Sequence, residues 1–263
     1  MNSPAFAPTA LQKQVSPEEW KTRVDLAACY RLLTLFRWED LVYTHISAKV
    51  PGTEEFLINP YGLMFDEITA SSLVKIDREG NKLTDRPYDV NPAGFLIHGA
   101  IHDARPDVGC ALHTHTADGI AVSMQKGGLL PLSQQAIFIR GSLAYHPYEG
   151  IALDDDERAR LQRDLGDKFY LILPNHGLLT CGETIADAFV RMYMLQRSCE
   201  IQIKAQSSGV ELEHVTPEVE AKTLRMIEET NLRMRGTPKH LDGSLPWPAL
   251  LRRLDRVSPG YQC

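Results

Sequence analysis

No apolar run in this chain reaches the roughly 18 residues a helix needs to cross a membrane, so no membrane span is expected. A basic block is also missing. The 28 Lys and Arg residues stand against 34 Asp and Glu, a formal net charge of −6. The most basic pair, Arg252-Arg253, is short and isolated, which argues against a nucleic-acid partner. The five cysteines (Cys29, Cys110, Cys181, Cys199 and Cys263) are an odd number without a Cys-x-x-Cys pair. They read as reduced, mostly buried thiols in a cytoplasmic setting. The N-terminal stretch from Met1 to Val15 has no basic segment leading into an apolar core, so it reads as a loose arm and not as a signal peptide. There is no internal repeat and no linker long enough to divide the chain. The expected organisation is an arm over 1–15, one domain over 16–210, and a helical tail over 211–263 packing on that domain.

What is present is ordinary globular composition, 43% hydrophobic and 24% charged over 263 residues, enough to bury a full core. Within it, two segments carry chemistry. Cys110-Ala111-Leu112-His113-Thr114-His115 is an apolar run entering His-x-His, and alternation along a strand puts both imidazoles on one face. About sixty residues later a second apolar run, Phe169 to Leu173, ends in Pro174-Asn175-His176-Gly177, where Asn-His-Gly is turn chemistry. Three histidines at strand ends suit a divalent metal with an open coordination position. The alternative for each, an isolated polar residue at a strand terminus, is weaker for the set than for any one.

Ser16-Pro17-Glu18-Glu19 is a capping box with proline at the first helical position, opening a helix to about Phe36. Short strands are expected over 43–50, 55–59 and 72–77, with Arg78-Glu79-Gly80-Asn81 as a hairpin turn. Helices are expected over 95–104 and 117–125, and a strand over 138–144. The acidic run Asp154 to Glu157 reads as a helix N-terminus, where negative charge meets the positive end of the macrodipole. Leu178 to Cys181 continues the sheet. Helices over 183–207 and 217–233 follow, then a Pro- and Gly-rich end. Strands alternating with flanking helices indicate a mixed sheet covered by helices.

Five ordered segments resemble the class II aldolase/adducin family, within it the adducin-like branch. They are Phe56-Leu57-Ile58-Asn59-Pro60-Tyr61-Gly62, Thr69 to Lys75, Asn91-Pro92-Ala93-Gly94-Phe95, His113-Thr114-His115-Thr116 and Asn175-His176-Gly177, and the resemblance spans about Val24 to Ala205. It implies an α/β fold, a three-layer α/β/α arrangement around a central mixed, largely antiparallel sheet. It also implies a homotetramer with active sites near subunit boundaries. His113, His115 and His176 match the metal ligands, with Zn2+ as the implied cofactor and Fe2+ or Mn2+ as alternatives. The implied chemistry is carbon–carbon cleavage beside a carbonyl, through an enediolate whose charge a Lewis-acidic metal stabilises.

The chain departs from the aldolase pattern in three places. Gly94 stands where the aldolases carry a general acid/base glutamate, and a glycine moves no proton. The phosphate-binding elements read Thr44-His45 and Pro92-Ala93, with Gly62 alone matching the remaining turn. Vertebrate adducins usually lack the full set of metal histidines, whereas this chain keeps all three. Substitute proton carriers are His98 and His102, one helical turn apart, and Tyr145 in the Tyr145-His146 segment, with Tyr148 beside it. His45, Gly62 and Gln134 are candidate substrate contacts. The expectation is a metal-dependent, aldolase-like lyase on a small oxygenated carbonyl substrate. Two rivals stay open: a non-haem iron oxygenase on the same fold, and a non-catalytic adducin-like interaction module.

Overall fold

Seven strands form one sheet in a computed structural model of the protein, which describes residues 10–84, 87–150, 155–233 and 242–263. Met1 to Thr9 of the expected arm, Asp154 and His240 lie outside the described residues. The strands are β1 (Ile46–Lys49), β2 (Phe56–Ile58), β3 (Val74–Ile76), β4 (Cys110–Thr114), β5 (Leu143–Tyr145), β6 (Tyr170–Leu173) and β7 (Gly177–Gly182). Their order is β3-β2-β1-β4-β7-β6-β5, and every pairing is antiparallel except β5 with β6. The sheet is therefore mixed and largely antiparallel, as the resemblance implied.

The helices are α1 (Pro17–Phe36), α2 (Pro92–Ala104), α3 (Ala117–Ser123), α4 (Gln134–Arg140), α5 (Asp155–Leu165), α6 (Ile185–Gln206), α7 (Pro217–Arg233) and α8 (Pro246–Val257). Strand alternation divides the sheet's side chains between its two faces, with Phe56, Ile58, Val74 and Ile76 forming a smaller cluster with Phe95 beside the two main cores. Cys110, Leu112, Ile172 and Leu178 pack with residues of α1, α3, α4, α6 and α8. Leu171, Leu173, Leu179 and Cys181 pack with Ile97, Ala100 and Ile101 of α2 and Leu161 and Leu165 of α5. Helices on both faces make three layers.

Ser16 caps α1, accepting from the Glu19 N–H at 3.0 Å. The reciprocal half of the capping box does not form. The Glu19 carboxylate is buried and turns to Arg23 at 2.9 Å and Lys75 at 3.2 Å, because an ion pair inside the fold outcompetes a local cap. Tyr30 fastens α1 to the sheet: its buried hydroxyl accepts from the Ile46 N–H at 2.7 Å.

Two expectations fail locally. The run over 138–144 is not one strand; Ser133 caps α4, accepting from Ala136 N–H, and the chain becomes strand only at Leu143. A short apolar run buried all round carries no period that separates the two states. The Pro-rich end contains α8, with Pro246 in its first turn, where a missing N–H costs nothing. Trp247 and Leu254 of α8 are buried in the α1–α6 core, and Trp247 Nε1 donates to Asp25 at 3.1 Å. Four of the five free thiols are buried. Among the described residues no helix is long and apolar enough to cross a membrane.

Candidate metal centre

Leu112 faces the α1–α6 core, so the alternating side chains of His113 and His115 project toward α2. His176 reaches the same place from a turn. Its N–H donates to the Leu173 carbonyl at 3.0 Å, and Asn175 before it adopts the left-handed conformation (φ 61°), which asparagine tolerates. Gly177 lets this turn close. A Cβ there would lie 2.4 Å from the Thr114 carbonyl oxygen and within 3.3 Å of both the His113 and His115 rings.

The three imidazoles meet through their Nε2 atoms. His113 Nε2 lies 2.9 Å from His115 Nε2 and 3.3 Å from His176 Nε2. The outer nitrogens explain what those contacts are. His113 Nδ1 lies 2.9 Å from the Leu178 carbonyl oxygen and His115 Nδ1 3.0 Å from the Asp40 carboxylate. Both partners only accept, so both Nδ1 atoms carry the hydrogen, and a neutral ring then has a bare Nε2. Two bare nitrogens at 2.9 Å make no hydrogen bond with each other; a cation between them removes the repulsion. Burial, together with the neighbouring imidazoles, holds His113 well below its ordinary pKa and pushes His176 down to about 4, so these rings are neutral ligands near pH 7. The donor set thus fits a divalent metal: three converging imidazoles, two of them oriented by outer partners.

The cluster opens on a cavity of about 390 Å³, walled also by Asp40, Tyr43, His45, Gly94, Ile97 and Tyr148. The exposed Tyr148 ring sits 6.4 Å from that of His176. His45 is buried, and its ring lies 5.5 Å from that of His113. Burial, then the charges His115 and His176 would carry, push its pKa down to about 3; weak, poorly aligned hydrogen bonding to the Gly94 and Tyr43 carbonyls opposes this. A Cβ on Gly94 would meet His45 Cε1 and Nδ1 at 2.8 Å. The space beside Gly94, where a side chain would begin, is therefore filled by an imidazole from β1's N-terminal flank.

The family model of the class II aldolase and adducin N-terminal domain matches residues 24–203. The chain belongs to that family. A Pseudomonas aeruginosa protein carrying a provisional class 2 aldolase name is 61% identical over 255 residues, 97% of each chain. Rat alpha-adducin is 41% identical over 249 residues, which cover 91% of this chain and 33% of the adducin. The solved L-fuculose 1-phosphate aldolase of Glaciozyma antarctica is 25% identical with a TM-score of 0.76, covering 98% of this chain and 97% of that one.

In this aldolase/adducin-family chain the sequence-derived candidates fall into three groups. His113, His115, His176 and His45 meet at one cavity. His98 and His102 are buried behind it: His98 packs tilted against His45 with centroids 4.3 Å apart, and the His102 ring lies 4.6 Å from that of Phe56. Tyr145, Gly62 and Gln134 do not line the metal cavity. The Tyr145 hydroxyl accepts from the Leu129 N–H at 3.0 Å and walls a separate cavity of about 510 Å³ with Arg140 and Asn175. Gly62 occupies an exposed turn with φ 106°, and Gln134 is exposed at the start of α4. Asp40 is the residue sequence reasoning missed. It follows a helix end in Trp38-Glu39-Asp40, with no local signal pairing it to His115, 75 residues away.

Proposed function

We propose that this protein is a divalent-metal-dependent enzyme acting on a small oxygenated carbonyl compound, an aldolase-like carbon–carbon lyase with altered acid/base chemistry. The convergence of three imidazole nitrogens on an open cavity, two of them left bare by outer partners, carries this reading. His113, His115 and His176 would hold the metal, with Zn2+ proposed and Fe2+ or Mn2+ as cations that a site of this kind also accepts. When bound, the metal supplies Lewis acidity for negative charge developing on oxygen beside the breaking bond.

The chain's own residues set the rest. Asp40 and the Leu178 carbonyl keep two ligand rings facing inward. A cavity of about 390 Å³ suits a small molecule. Gly94 has no group to move a proton, and His45 occupies the adjacent space. His98 and His102 act as positioning residues behind His45, and Tyr145 serves the neighbouring cavity. We also propose a cytoplasmic homotetramer whose subunits each carry one site; exposed Leu41, Tyr43 and Tyr148 near the cavity supply apolar surface for such packing.

The test is metal analysis of wild type and His115→Ala purified without added metal, with an anaerobic iron preparation alongside. One divalent ion per chain is expected in wild type and none in a folded variant. Equal metal content in both would refute the ligand assignment. Turnover is then assayed on free and phosphorylated ketoses. A metal-loaded protein that turns over none of them would favour the adducin-like module.

A further inference from the structure

Behind the cavity runs a buried hydrogen-bond chain whose direction follows from its far end. The Val108 carbonyl only accepts, so His102 Nδ1, 3.2 Å away, carries the hydrogen. Burial brings the His102 pKa down to about 4, so the ring is neutral near pH 7 and its Nε2 is bare. That Nε2 lies 2.8 Å from Ser47 Oγ and accepts the hydroxyl hydrogen. With its one hydrogen so directed, Ser47 Oγ accepts from His98 Nδ1 at 2.8 Å. His98, neutral and fully buried, is left with a bare Nε2 that has no partner.

The ring packed against His98 is His45, centroids 4.3 Å apart and planes tilted by 50°. Neither His45 nitrogen makes a well-formed hydrogen bond, the Gly94 and Tyr43 carbonyls offering only weak ones, although its side chain is buried and walls the metal cavity. An unpaired buried acceptor is destabilising, so His98 Nε2 calls for a donor, and the neighbouring ring is His45. In that pairing the other His45 nitrogen is left as a bare acceptor.

We propose that His45 is a substrate-binding residue of acceptor polarity: its N–H is directed to His98 Nε2, and its second nitrogen accepts a hydrogen from a substrate hydroxyl in the cavity. This rests on the metal-dependent enzyme reading and names its substrate class. The site takes a hydroxylated, unphosphorylated carbonyl compound. A fully ionised phosphate offers no hydrogen to a bare nitrogen and is disfavoured at this position. The polarity comes from Ser47, His98 and His102, which touch no substrate and act by setting the His45 tautomer.

The decisive measurement is histidine tautomer assignment by nitrogen-15 NMR on metal-free protein with labelled histidine. Peaks are assigned through His98→Gln and His102→Gln. The expected result is an Nδ1–H tautomer for both His98 and His102 in wild type. Ser47→Ala should release His98 to the Nε2–H tautomer. On zinc-loaded protein the probes are dihydroxyacetone and dihydroxyacetone phosphate. Ser47→Ala and His45→Leu should each weaken dihydroxyacetone about 3- to 10-fold, the worth of one hydrogen bond, with metal content unchanged and the phosphate ester not weakened. An Nε2–H tautomer of His98 in wild type overturns the proposal even if Ser47→Ala does not fold. Equal weakening of both probes overturns it as well. Absence of stoichiometric metal in wild type would instead remove the reading on which it rests, and is recorded separately.

Discussion

The Asp40 carboxylate accepts from His115 Nδ1 at 3.0 Å across 75 residues of chain, and so determines which nitrogen of His115 faces His113 and His176. Asp40 is half-exposed, so its value lies in orientation more than in charge. Asp40→Ala, which removes the acceptor, should weaken zinc about 10- to 100-fold while leaving the thermal unfolding midpoint of the metal-free protein near wild type. Chelator competition measures the first and a melting curve the second. Wild-type zinc affinity in the variant would show that His115 is oriented without Asp40.

His45 and Gly94 form a size-matched pair. From sequence alone, Gly94→Glu is expected to restore the missing carboxylate and to raise retro-aldol activity or tighten the metal, provided the helix tolerates the side chain. The fold changes that expectation, because any Cβ at 94 begins 2.8 Å from the His45 ring. Gly94→Ala should destabilise by roughly 1–3 kcal/mol through overpacking. The same change in a His45→Ala background should cost less than half of that. Urea unfolding of the four proteins in a double-mutant cycle checks the coupling. Additive effects would mean the ring moves aside freely, and Gly94→Glu would then be the direct test of carboxylate restoration.

Acid should destabilise the metal-free protein through its buried imidazoles. His102 is pushed down to about 4 and His45 to about 3, against an ordinary value of 6.5. Below pH 6.5 the unfolded chain binds protons that the folded chain refuses, so stability is fullest above 6.5 and falls as pH drops toward 4. The slope is at most about 1.4 kcal/mol per pH unit for each such histidine. Urea midpoints between about pH 7 and about pH 5 measure it, and His102→Gln should make the curve shallower. A flat profile in this window would contradict the burial of these groups as neutral rings.

Assembly is checked by light scattering. A mass near four times 29.5 kDa is expected at micromolar concentration. A monomer throughout would remove the tetramer and any role for Leu41 and Tyr148 in subunit packing.

Much of the site was legible before any fold was known. Alternation along Cys110 to His115 put two imidazoles on one face, and Asn175-His176-Gly177 announced a turn carrying the third. What stayed hidden were contacts between distant segments. Asp40 meets His115, and His45 fills the space at Gly94, with nothing in either local sequence to announce it. His98 and His102 were correctly seen to share a helix face, but that face abuts Ser47 of β1 and not the cavity. The Phe138 run and the Pro246 helix were misread because short buried runs and first-turn prolines carry no decisive local period.

By itself the sequence determined the periodic elements, the helix caps and the set of metal-suited histidines, since these follow from alternation, turn chemistry and side-chain donors within a few residues. Tertiary structure alone decided which nitrogen of His113, His115 and His102 is free. That choice depends on acceptors brought in from elsewhere in the chain, the Leu178 carbonyl, the Asp40 carboxylate and the Val108 carbonyl, and a hydrogen goes where an acceptor lies within about 3 Å.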